Sequence, residues 1–194
     1  ATQHRSFALD LWGFGDTANV ASLYSLAAYT DLVAEFIDTL GVTTPVALVG
    51  HALGAAVALR FAHERPEAVD RLVCIALPTA KESPAGQLPR QAKDALVKKI
   101  FGRGVTFPEI SAELHKTDDQ ALVQLYREVQ LCDFTAELAR VAAPTLSIYG
   151  KRDVLSPVPT ANPPGNGFAG SSLHQILLED CTHFPMLEAP VVFN

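Results

Sequence analysis

The sequence predicts an α/β fold, a mostly parallel sheet with flanking helices and a helical insertion near its middle. Three observations lead there. The continuous apolar run at residues 45–49 has the composition of a parallel strand covered on both faces, 71–77 reads as a second buried strand, and 144–149 resumes the sheet. Amphipathic helical patterns at 24–40 and 53–64 alternate with these runs, as βαβ units require. From Pro78 to about Val141 the proline-marked loop and helical patterns contain no strand, which reads as an insertion between two sheet strands.

The elements follow in order. Residues 5–10 read as a short buried strand closed by Gly13 and Gly15. In the helix over 24–40, Leu26, Tyr29, Val33, Phe36 and Leu40 fall on one face, Ser25 is the expected N-cap, and Gly41 ends it. A tight turn at 50–54 then opens an alanine-rich helix over 53–64, which Pro66 stops. Within the insertion, 90–101, 108–115 and 117–133 read as helices, the last started by a capping box of Thr117 and Gln120. The sheet resumes at 144–149 and ends with a strand at 174–178. Between them, 154–173 holds four prolines and three glycines and is expected to be a loop.

Composition limits the function. The chain has 194 residues, with 48% apolar and 19% charged side chains, enough to bury a core without disulfide or metal staples. Its net charge of −6 and its lack of a basic stripe argue against a nucleic-acid partner. No uninterrupted apolar run approaches about 18 residues, so no membrane span is expected. The first five residues lack the apolar core of a signal peptide. Three cysteines, Cys74, Cys132 and Cys181, form no CxxC and suit a reducing compartment, so a cytoplasmic location is expected.

The chemistry concentrates at Gly50-His51-Ala52-Leu53-Gly54, between a buried strand and a helix. A G-x-S-x-G nucleophile elbow stands in this setting: a strained turn projects its middle residue above the sheet, next to helix N–H groups that can hold an oxyanion. Asp153 then follows a strand end, and His183 follows the last strand, in the order elbow, acid, histidine.

With these residues the chain resembles the capped α/β-hydrolase superfamily of esterases, lactonases, C–C hydrolases, epoxide hydrolases, dehalogenases and cofactor-free relatives. The resemblance rests on four segments in order: residues 10–17, 49–55, 144–153 and 183–188. It implies a hydrolase core over 1–78 and 141–194 and a helical cap over 79–140. It further implies a catalytic group of the residue at position 52, Asp153 and His183, with the Leu53 N–H as an oxyanion donor. The implied substrate is a small ester-like molecule or related C–X compound, and no metal or organic cofactor is needed.

Three departures qualify the resemblance. Ala52 stands where the nucleophile belongs, and a methyl group attacks nothing, so the chain as written is expected to be inactive. The family's earlier strands and second oxyanion loop would lie before residue 1, which leaves a sheet edge for a second copy or another chain to cover. The helix after the histidine is nearly absent, so the fold is expected to be incomplete at both ends. Ala52 fits either a deliberate Ser→Ala change or a natural loss, and the latter would make the chain a ligand- or partner-binding pseudohydrolase.

The other motifs carry less. His51 reads as structural, Cys181 as an unsuitable replacement nucleophile, and Cys74 and Cys132 as small hydrophobes. The stretch 13–18 matches the G-x-G-x-x-A dinucleotide pattern, but no helix opens within it. An oxidoreductase is therefore the weakest reading.

Overall fold

The computed structural model describes residues 4–79, 107–159 and 173–194. After a 3₁₀ turn at Ala21–Leu23, the elements are α1 (Leu26–Thr39), β1 (Val46–His51), α2 (Leu53–Glu64), a second 3₁₀ turn (Pro66–Ala68) and β2 (Val69–Ile75). Then come α3 (Pro108–Lys116), α4 (Asp119–Leu131), α5 (Phe134–Leu138), β3 (Thr145–Gly150), β4 (Leu173–Leu178), α6 (Pro185–Glu188) and α7 (Pro190–Phe193). The expected helix at 90–101 and residues 160–172 of the expected 154–173 loop lie outside the described residues.

The four strands pair in parallel in the order β1-β2-β3-β4, with Gly50 beside Cys74, Cys74 beside Ser147, and Gly150 beside Leu178. All strand C-termini therefore share one edge, where the 50–54 turn, Asp153 and the segment after β4 also lie. One sheet face carries the main core. Fully buried Ala55, Ala56, Leu59 and Phe61 of α2 pack there with Leu72, Cys74 and Tyr29. The small alanines let α2 lie close to the sheet, while burying Leu59 and Phe61 contributes roughly 1.5–3 kcal/mol each. On the other face, Ile75 and Ile148 pack with Met186 and Phe193 from α6 and α7.

α1 forms as its pattern requires. The Ser25 side chain accepts from Ala28 N–H at 3.1 Å, Leu26, Tyr29 and Ala34 are buried, and Gly41 takes the left-handed conformation that ends the helix. Leu40, expected on the buried face, is exposed as the C-cap.

Three expectations fail for identifiable reasons. Residues 5–10 form no strand: no described segment offers them a ladder partner, and Phe7 instead lies half exposed, edge-on to Phe36 of α1. Among the described residues, β1 is covered on one face only. Among the described residues it pairs only with β2, and Val49 on the face away from α2 is 68% exposed. The capping box at Thr117 gives way to Asp118, whose carboxylate accepts from Gln120 N–H at 2.9 Å and from the Tyr24 hydroxyl at 2.6 Å. Thr117 instead closes α3 by donating to the Glu113 carbonyl.

The helical block is tied to the rest at several points. Glu128 of α4 accepts from Leu26 N–H at the start of α1, and Asp118 N–H donates to the Gly13 carbonyl. Arg60 of α2 makes a two-pronged pair with Glu137 of α5, its shorter contact 2.7 Å.

Candidate active site

β1 ends at His51 and α2 begins at Leu53, so Ala52 alone turns the chain through φ 52°, ψ −114°. A non-glycine residue in this region costs on the order of 1–3 kcal/mol, and its neighbours must hold it there. Ala52 N–H donates to the Ile75 carbonyl at 2.9 Å, and the Ala52 carbonyl accepts from Ala55 and Ala56 N–H. Gly50 allows the turn: a Cβ there would stand 2.3 Å from the Gly54 carbonyl oxygen. Gly54 is under no such constraint, because a Cβ at that position meets nothing within 4 Å. Leu53 opens the helix, and its N–H belongs to the first turn, which has no intrahelical acceptor.

His183 and Asp153 meet behind this turn. The His183 Nδ1–H donates to Asp153 Oδ2 at 2.8 Å, and both side chains are shut away from solvent. A carboxylate only accepts, so the ring proton sits on Nδ1 and leaves Nε2 as the basic nitrogen. Asp153 Oδ1 is itself held by Leu155 N–H at 2.8 Å and Ser156 N–H at 3.1 Å.

His51 takes a supporting place, as expected. Its Nε2–H donates to the His183 carbonyl at 2.7 Å, and its ring lies 4.8 Å from the His183 ring. Burial, followed by the neighbouring His183, pushes its pKa down to about 4, so it is neutral near pH 7.

Ala52, Leu53 and His183 all line a pocket of about 480 Å³. The structure therefore brings together the residues expected from sequence, with Asp153 reached through His183. Phe14, Ile110, Leu122 and Tyr126 give the pocket an apolar wall, and Asp10, Glu109 and Glu113 add carboxylates. The Tyr126 hydroxyl is raised to about 12 by burial and by the Asp153 charge, so it stays a protonated donor. In the sequence, Tyr126 keeps helical spacing with Leu122, Leu125 and Val129, which suits an aromatic side chain facing either the core or a pocket. Nothing in that spacing marks it as a pocket residue.

The alternatives lose ground here. Cys181 is buried outside the pocket lining, and burial with nearby Glu188 and Asp180 pushes its thiol up, away from the thiolate. In the 13–18 stretch, a Cβ at Gly13 would meet the Tyr24 ring at 2.6 Å, and one at Gly15 would meet the Asp10 carboxyl at 2.3 Å. Those glycines serve internal packing.

Comparison with known proteins agrees with this architecture. The sequence model described as "Alpha/beta hydrolase family" matches residues 1–194. An uncharacterised protein of Mycobacterium tuberculosis is 27% identical over 219 residues, covering 95% of this chain and 63% of its own length. The chain thus spans somewhat under two thirds of that relative. A putative carbamate hydrolase of Klebsiella pneumoniae is 27% identical over 176 residues, covering 80% of this chain and 66% of its own. Among solved structures, a hydrolase from Pseudomonas aeruginosa superposes with a TM-score of 0.76 at 24% identity, covering 95% of this chain and 74% of that one.

Proposed function

Because the chain belongs to the alpha/beta hydrolase family, we propose that its pocket is a hydrolase site for small ester-like or related C–X substrates, with Ala52 at the nucleophile position. The buried 2.8 Å His183–Asp153 hydrogen bond beside the strained turn carries this reading. With a serine at position 52, His183 Nε2 would take the hydroxyl proton as the oxygen attacks the carbonyl carbon. Asp153 would stabilise the imidazolium, and the Leu53 N–H would hold the oxyanion. His183 would then protonate the leaving group, and water activated by His183 would release the acid. With alanine at this position no acyl-enzyme can form, and the chain as written is inactive by that route.

Ala52 itself favours a second reading, a pseudohydrolase that binds a ligand without turnover. The two separate on one experiment. Ala52→Ser is expected to give turnover of p-nitrophenyl acetate, lost again on His183→Ala. A folded Ala52→Ser protein with no turnover above buffer would leave the binding reading.

A further inference from the structure

His183 sits in a stretch without regular structure, between the end of β4 at Leu178 and the start of α6 at Pro185. Such a segment holds a catalytic ring in place only if its backbone is pinned. Part of the pinning comes from the end of β3 and the turn after it: Arg152 N–H donates to the Cys181 carbonyl, and Gly150 lies so close that a Cβ there would stand 2.1 Å from the Thr182 carbonyl oxygen. His51 holds the carbonyl of His183 itself. None of these fixes the residues on both sides of His183.

Glu188 does. Its Oε2 accepts from Thr182 N–H at 2.5 Å, while Oε1 accepts from the Thr182 hydroxyl at 2.6 Å and from Phe184 N–H at 3.0 Å. One carboxylate thus gathers three donors from the two residues that flank His183. Phe184 is also the N-cap of α6, so the bond to its N–H resembles the backward reach of a capping-box acid. Bonds to an ionised acceptor are about twice as strong as neutral ones, and here they fix the peptide groups that aim the imidazole at Asp153.

We infer that Glu188 is a positioning residue, which holds the His183 backbone so that the ring meets Asp153 and the residue at position 52 in reactive geometry. The inference rests on the proposed hydrolase reading. Misplacing a reacting group by about 1 Å can cost roughly 10²-fold in rate. In an Ala52→Ser background, Glu188→Ala is therefore expected to lower kcat by about 10- to 100-fold with KM within about twofold. Glu188→Gln keeps an oxygen for some of the donors and should fall between the two.

The companion measurement uses the chain with Ala52 in place. Proton NMR should show an exchange-protected His183 Nδ1–H resonance that weakens or vanishes in Glu188→Ala, while far-UV circular dichroism is retained. If Glu188→Ala does not fold, Glu188→Gln is read in the same way. A lowered Tm with unchanged kcat per folded molecule and an unchanged Nδ1–H resonance would overturn the inference, leaving Glu188 a structural cap only. Should Ala52→Ser show no turnover at all, the hydrolase reading fails, and the resonance alone still decides whether Glu188 positions His183.

Discussion

Asp153→Asn separates orientation from mere stability at the centre of the site. The carboxylate accepts three hydrogen bonds: one from His183 on Oδ2 and two from the Leu155 and Ser156 N–H groups on Oδ1. At about 1 kcal/mol each, Asp153→Ala should destabilise the fold by about 3 kcal/mol. Asp153→Asn keeps an oxygen for the two backbone donors and should cost only about 1 kcal/mol. Its amide would face Nδ1 with N–H rather than oxygen, so Nδ1 would have to accept and the ring proton would move to Nε2. That tautomer cannot take a hydroxyl proton. In an Ala52→Ser background, kcat should therefore fall about 10⁴-fold in the asparagine variant, despite its near-native stability. Urea unfolding of both variants, with p-nitrophenyl acetate turnover, supplies the numbers. An asparagine variant that keeps kcat within tenfold would refute the orienting role.

Two further outcomes follow from local geometry. His51 has a folded pKa of about 4 against about 6.5 unfolded, so between these values the unfolded chain binds the extra proton and stability falls as pH falls. The full drop is about 3 kcal/mol, present above pH 6.5 and lost towards pH 4. His51→Gln, whose amide can still donate to the His183 carbonyl, should lose about that much less between pH 7 and pH 4 in matched urea titrations. Equal pH slopes in the two proteins would contradict this. At the turn, Gly50→Ala should destabilise by about 1–3 kcal/mol, because its Cβ meets backbone at 2.3 Å. Gly54→Ala finds open space in a helix and should stabilise by about 0.5–1 kcal/mol. Thermal melts that ranked them in the reverse order would remove the close-approach argument.

Much of this was legible because local signals and the fold agreed. The apolar run into Gly50, the alanine-rich stretch and Pro66 placed α2 at its observed bounds, and with it the turn at Ala52. Asp153 and His183 were readable from their places just after strands. Residues 5–10 look like a strand in sequence because apolar composition reports what a segment can bury, while a strand also needs a neighbour to pair with. The exposure of Val49 on β1, which among the described residues pairs only with β2, has the same origin. Asp118 displaced Thr117 as the cap because its carboxylate also meets Tyr24, 94 positions away in sequence. Glu188 closes the 183–188 segment, but its three bonds depend on how α6 folds back, and spacing alone does not report that.

The most direct test labels the nucleophile position. The Ala52→Ser protein, treated with a fluorophosphonate and analysed by tryptic mass spectrometry, should carry one adduct at position 52, absent from the unaltered chain and from Ala52→Ser with His183→Ala. A folded Ala52→Ser protein that takes no label there, or takes it equally without His183, would contradict a hydrolase site built on this turn.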